Sequence, residues 1–263
     1  MNIKIFTIIS LISVAATAFC QTDSGINKTD QQGRKQGRWI TRYPNGNILY
    51  EGEFINGNPS GQFKRYYDDQ TLNSVMVFSG EGRVADAKIY FPDGSIAASG
   101  KYVNRLKEGK WKFFSSSVQG YLINEEEYSK SLRNGISLKF YTDSTIAEKA
   151  FYKNDKKEGE WIQYYASGKL FLKAFYTSGL LNGNFEVWYE NGNPEIKGTY
   201  KNNLREGKWI IYNEDGTVRY EMNYEGGVTK DRRMDIESSE IIDNLEKNKG
   251  KIADPEKTGE LER

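Results

Sequence analysis

The sequence predicts an all-β fold: an elongated single-layer antiparallel meander of about eight β-hairpin repeats, with a charged, partly helical or disordered C-terminal tail. Three observations predict it. A walk of 24 residues from Gly37 lands on Gly61, Ala85 and Gly109, and after one step of 26 continues through Gly135, Gly159, Gly183 and Gly207. The same walk from Phe54 meets Phe78, Tyr102, Tyr128, Tyr152, Tyr176, Tyr200 and Tyr224, aromatic in every copy. Each copy also sets turn chemistry between two β-forming runs. Self-similarity at such a period marks units that bury their apolar faces only by stacking on their neighbours.

The elements follow in chain order. Residues 1–20 read as a secretory signal peptide: Lys4 precedes an apolar run from Ile5 to Ala16, with cleavage after Ala18 or after Cys20. The expectation is export to the periplasm, the outer surface or the medium. A lipoprotein is the lesser alternative, because bulky Phe19 precedes Cys20. Residues 21–32 are polar and read as a flexible lead-in. Residues 33–228 form the array. In its first copy, Arg38 to Tyr43 is rich in β-formers, Pro44-Asn45-Gly46 suits a type I turn closed by glycine at positive φ, and Ile48 to Phe54 runs back. Short glycine-containing loops such as Asn56 to Gly61 join the units, which should therefore lie side by side. The step of 26 falls at Ser115 to Gly120, a longer hairpin tip. Residues 229–263 hold no aromatic residue and many charges of both signs; Asp235 to Lys249 reads as a short helix using Ile236, Ile242 and Leu245, the rest as disordered.

Composition narrows the function. Aromatics, 18 Tyr, 13 Phe and 5 Trp, supply much of the apolar content of a chain whose mean hydropathy is -0.73. There is no histidine, and Cys20 is the only cysteine, so the array has no Ser-His or Cys-His arrangement, no thiol nucleophile and no disulfide framework. No nucleotide or calcium loop occurs, and no metal or other cofactor is expected. With 37 basic against 36 acidic residues, nothing draws the chain to nucleic acid. A glycan hydrolase would need two carboxylates roughly 5–10 Å apart across a cleft. Glu125-Glu126-Glu127 and Asp68-Asp69 recur in no other copy and read as solvated charge. Lys35, Lys107, Lys156 and Lys157 precede the glycine of a repeat; they either attract phosphate or keep loop tips soluble and strand edges blunt.

The pattern Gly-x-Trp, then Tyr-Tyr, Asn-Gly and Gly-x-Tyr, best seen from Glu158 to Leu170 and in Glu206-Gly207-Lys208-Trp209, resembles the MORN repeat, and more closely the variant in bacterial YwqK-type proteins. The resemblance covers residues 33–228. It implies a curved single-layer sheet used for interaction or membrane association, and some relatives are labelled antitoxins, which makes an antitoxin-like inhibitor one alternative. Ala87 and Ser137 stand where the Trp should be, and Gln70 and Ser144 where the turn Gly should be; those units should be looser.

Alternation along a strand divides the aromatics between two faces. With a three-residue turn, the column Tyr66, Tyr90, Phe114, Phe140, Tyr164, Trp188 and Tyr212 shares a face with Ile48, Leu72, Ile96, Leu170 and the Phe54 column, and that face reads as the core. The other face then shows Trp39, Tyr43, Tyr67, Phe91, Trp111, Tyr141, Trp161, Tyr165, Tyr189 and Trp209 among charges. These ten are the candidate binding stripe, the alternative being a packing ladder. A slip of one residue would exchange the faces. The expected function is that of a non-catalytic exported module binding a protein partner, with lipid or glycan binding at the envelope as the alternative.

Overall fold

The structure is a computed structural model that describes residues 25–230 and 239–240. The expected signal peptide and most of the tail lie outside the described residues; within the expected tail helix, residues 239 and 240 are helical.

Eight hairpins follow one another: β2–β3 (Lys35–Arg42, Ile48–Ile55), β4–β5 (Asn58–Tyr66, Leu72–Ser79), β6–β7 (Val84–Tyr90, Ile96–Val103), β8–β9 (Leu106–Phe114, Leu122–Ser129), β10–β11 (Leu132–Phe140, Ile146–Lys153), β12–β13 (Lys156–Tyr164, Leu170–Thr177), β14–β15 (Leu180–Trp188, Pro194–Lys201) and β16–β17 (Leu204–Tyr212, Val218–Glu225). Two-residue strands, β1 (Lys28–Thr29) and β18 (Val228–Thr229), bring the sheet to 18 strands. Neighbours in sequence pair antiparallel throughout, from β1 on β2 to β18 on β17. The all-β repeat architecture is therefore as expected.

Part of the lead-in is folded onto the array. Lys28 and Thr29 pair with Gln36 and Lys35. The Asn27 amide accepts from Ile40 N at 2.8 Å and donates to Ile40 O at 2.9 Å, doing for that edge what a further strand would do.

The hairpin tips hold the expected three-residue loop. Tyr43 N donates to Asn47 O at 2.8 Å, and Gly46 N to Tyr43 O at 3.0 Å. Gly46 has φ of 89°, and Gln70 and Ser144 hold the same left-handed place at 71° and 69°. The central Asp or Asn adds a local bond: Asp143 Oδ1 accepts from the backbone and hydroxyl of Thr145 at 2.9 and 2.6 Å.

One residue beyond each tip the register slips. Arg42 pairs with Ile48, but Thr41 pairs with Tyr50, leaving Leu49 as the extra residue of a β-bulge. The slip recurs in the other hairpins, for example between Ile89 and Tyr90 and between Gln163 and Tyr164. Two successive side chains then point to one side, so Ala97 with Ala98, and Ala147 with Glu148, are both buried.

This bulge corrects the expected faces. The three-residue turn is present, but parity does not carry through the bulge, so the Phe54 column moves to the face of the Trp column. Trp111, Trp161 and Trp209 are 0–2% exposed and belong to the core. The column from Tyr66 to Tyr212 is half-buried on the opposite, charged face, where the Tyr66 hydroxyl donates to Glu51 Oε1 at 2.9 Å. The Trp face is called the inner face below.

Candidate functional site

On the inner face one line of paired residues crosses the sheet with large and small side chains alternating. Trp39 pairs with Gly52, Ala150 with Trp161, Trp161 with Ala174, Ala174 with Phe185, and Phe185 with Gly198. Where a glycine stands, the next hairpin lays a ring on it: Phe63 on Gly52, Trp111 on Gly100, Trp209 on Gly198. Each ring meets the Phe54-column aromatic edge to face, as Tyr102 meets Trp111 with centroids 4.8 Å apart. A ring needs a small neighbour, glycine or alanine, to pack on the sheet, and where that neighbour is glycine the Gly-x-aromatic pattern accompanies the Gly-x-Trp pattern.

Cations complete this packing. Lys35 Nζ lies 4.4 Å from the Trp39 ring centroid, Lys107 Nζ 5.1 Å from Trp111, Lys157 Nζ 4.3 Å from Trp161, and the Arg205 guanidinium 5.3 Å from Trp209. Lys35, Lys107 and Lys157 are thus seated on the ladder, whereas Lys156 is exposed.

The tyrosines of the candidate stripe tie hairpins together. Hydroxyls of Tyr43, Tyr67, Tyr141, Tyr165 and Tyr189 donate to the carbonyls of Tyr66, Tyr90, Tyr164, Trp188 and Tyr212 at 2.7–2.9 Å, each in the next hairpin. Burial pushes the Tyr165 hydroxyl up to about 12, with Glu195 and Glu190 adding to it. Phe91 is buried in the same column. The ten stripe residues share one face but do not form an exposed band among charges: three of the tryptophans and Phe91 are buried and the rest are half-buried.

Two stretches depart from this pattern. At β9–β12 the alternation is inverted: Glu126 occupies the small place, Ser137 the Trp place, and the two pair directly. Glu126 accepts from the Tyr128 hydroxyl and lies 3.8 Å from Arg133. Beside them, Glu148 faces Lys139 at 3.5 Å and Gln163 at 2.9 Å. Burial pushes the Glu148 carboxyl up, but Lys139 and Lys157 with the Gln163 amide outweigh it and hold it below the usual carboxylate range. Of the runs weighed as acids, Glu126 is thus ion-paired inside the sheet and Asp69 is engaged in its turn with Thr71. Among the described residues no group of acidic or thiol side chains could hold a metal.

The second departure is at β3–β7, where the ladder is open. Trp39, Phe54, Phe63 and Phe78 continue edge to face at 5.0–6.0 Å, yet all four are only half-buried. The last three floor a groove of about 620 Å³ with Tyr50, Met76, Arg65, Arg83 and Arg105 among its walls. Ala87 stands in the Trp place of the next hairpin and pairs with Met76, so no ring follows Phe63 on that line. Reading by parity missed Phe54, Phe78, Met76, Arg65 and Arg105; the absent Trp at position 87 was the available signal.

The sequence profile of the MORN repeat variant matches residues 35–56, 133–154, 157–178, 181–202 and 205–225. The chain is a MORN-variant repeat protein. The units between residues 57 and 132, which carry Gln70, Met76, Ala87 and the longer tip, lie outside the matched ranges. MORN repeats are non-enzymatic modules that generally mediate protein or membrane interactions. No curated protein matches this MORN-variant chain. Among solved structures it is similar to a chain of the crystal structure of TcdB2-TccC3, at 11% identity over 71% of this chain and 11% of that one, with a TM-score of 0.18.

Proposed function

We propose that this MORN-variant protein is an exported, non-catalytic interaction module that holds an extended segment of a protein partner in the inner-face groove at β3–β7. One observation carries the reading: Phe63, with Phe54 and Phe78 beside it, is half-exposed in a groove, while the rings at its place in later hairpins, Trp111, Trp161 and Trp209, are sealed. Aromatic floors of this kind anchor extended segments, because a ring contributes contact area at little cost in rotamer entropy. Export rests on the apolar leader with Lys4 before it.

A photo-crosslinking residue in place of Phe78 should capture a discrete protein from envelope extract, and the same residue in place of Lys88, on the outer face, should not. Equal capture from both places, or none at Phe78, would refute the groove. Removal of residues 1–20 during expression with the leader, read by mass spectrometry, tests export.

A further inference from the structure

We infer that the groove recognises acidic polypeptide: a carboxylate side chain held by Arg65 and Arg105, with a neighbouring apolar side chain on Phe63 and Phe78. This deepens the reading above and rests on it.

Elsewhere on the inner face, cations are used internally. Lys35, Lys107, Lys157 and Arg205 lie over rings, Arg133 faces Glu126 and Asp155, and Lys139 faces Glu148. Arg65 is different. It stands between Tyr50 and Ser74 in the column that holds Lys139, it is exposed, and it meets no acid, ring or acceptor among the described residues. It lines the groove floored by Phe54, Phe63 and Phe78.

Arg105 supplies a second, independent observation. It sits in the β7–β8 loop with φ of 66°, a left-handed conformation that costs an ordinary side chain strain. The same place in other units holds Gly57, Gly179 and Gly227, which take that conformation freely, or Ser131, Asp155 and Asn203, whose side chains accept a backbone N–H. Glu81, the other exception, is ion-paired with Arg83. An arginine neither relieves the backbone nor accepts a hydrogen bond, and Arg105 is exposed with no partner among the described residues. Its position serves the groove, which it lines together with Arg65.

Two guanidinium groups with no side-chain partner among the described residues, lining a groove floored by aromatic rings, suit a carboxylate, which each can hold through paired N–H donors, next to an apolar group that the rings desolvate. A polypeptide in extended form presents both at alternate positions.

The test uses the full array and a capped peptide of alternating Glu and Phe, measured by calorimetry against the same peptide with Lys or Gln for Glu. The Glu peptide should bind, at least tenfold more tightly than the Gln peptide, and weaken with added salt. The Arg65→Gln/Arg105→Gln variant should lose that preference while melting as wild type, and the outer-face Lys88→Gln/Lys197→Gln variant should keep it. Equal binding of the three peptides, an unchanged preference in the arginine variant, or stronger binding to phosphatidylglycerol vesicles than to the Glu peptide would overturn the inference. If the peptides fail while crosslinking at position 78 captures a protein, acid recognition alone falls; if crosslinking fails too, so does the interaction reading.

Discussion

The indole of Trp209 occupies the space that a side chain on Gly198 would need: a Cβ there would lie 2.2 Å from the ring. Trp209 is fully buried, so the ring has nowhere to retreat. Gly198→Ala should therefore cost about 2–3 kcal/mol by overpacking, and Trp209→Ala about 3–5 kcal/mol by leaving a cavity. The double variant should cost less than the two together, since each change removes the other's cause. Denaturant melts of the three variants check this; additive losses would show that the two residues do not share the space.

The tyrosine column should behave as structure. Tyr165→Phe leaves the Trp188 carbonyl without its donor at 2.7 Å and should cost about 1 kcal/mol. Trp188 is half-buried on the outer face, so Trp188→Ala should cost less than Trp209→Ala. Melting curves that rank Trp188 above Trp209 would mean that the faces are exchanged.

Two hairpin tips, at Gln70 and Ser144, carry a residue other than glycine at the closing positive φ, and they should respond differently to glycine. Ser144, at φ of 69°, makes no side-chain bond that explains it, so Ser144→Gly should raise stability by up to about 1 kcal/mol. Gln70 bonds Ile48 through both ends of its amide, at 3.1 and 3.0 Å. Gln70→Gly loses these bonds as it relieves the backbone and should be near neutral. Thermal midpoints of the two single variants decide the matter.

Acid should loosen the hairpin tips. Bonds from the Thr or Ser two residues on hold Asp69, Asp93, Asp143 and Asp215 below the usual carboxylate range. A folded value below the unfolded one means stability that is present above the unfolded value, about 3.9, and is lost as pH falls through the folded values. The midpoint should fall as pH drops below about 4. Replacing the four with Asn, which already serves at Asn45 and Asn191, should flatten that fall. Midpoints of both proteins measured across the acid range test it; parallel curves would assign the acid loss to other groups.

Much of the architecture is legible in the sequence. The 24-residue walk found all eight hairpins, and Pro44-Asn45-Gly46 and its copies were read as the loops they form. The faces could not be read by alternation, because the extra residue at Leu49 or Ala97 has no side-chain signature of its own. It reverses parity between Ile48 and Phe54, and with it which aromatics are buried. A different signal was present: Gly52, Gly100 and Gly198 each precede an aromatic by two, and a glycine kept at a strand centre announces a ring lying on it. Arg65 and Arg105 stand out only once the partners of the other cations are known, which is a matter of distances.

The inverted stretch at Glu126 and Ser137 gives the sharpest test of the large-small rule. These residues pair directly, and in the rule's usual form a small residue would stand at 126 and a ring at 137. Ser137→Trp alone would drive an indole against buried Glu126, separate that carboxylate from Arg133 at 3.8 Å, and should cost about 3 kcal/mol or more. Glu126→Gly alone leaves the Tyr128 hydroxyl without its acceptor beside an empty place, and should cost about 2–3 kcal/mol. Together they rebuild the arrangement of Gly198 and Trp209, with Arg133 free to lie over the new ring as Arg205 lies over Trp209. The double variant should therefore melt close to wild type, with a coupling energy of about 2 kcal/mol or more in the stabilising direction. A double variant less stable than either single one would mean that Glu126 is retained for its charge and not for its size.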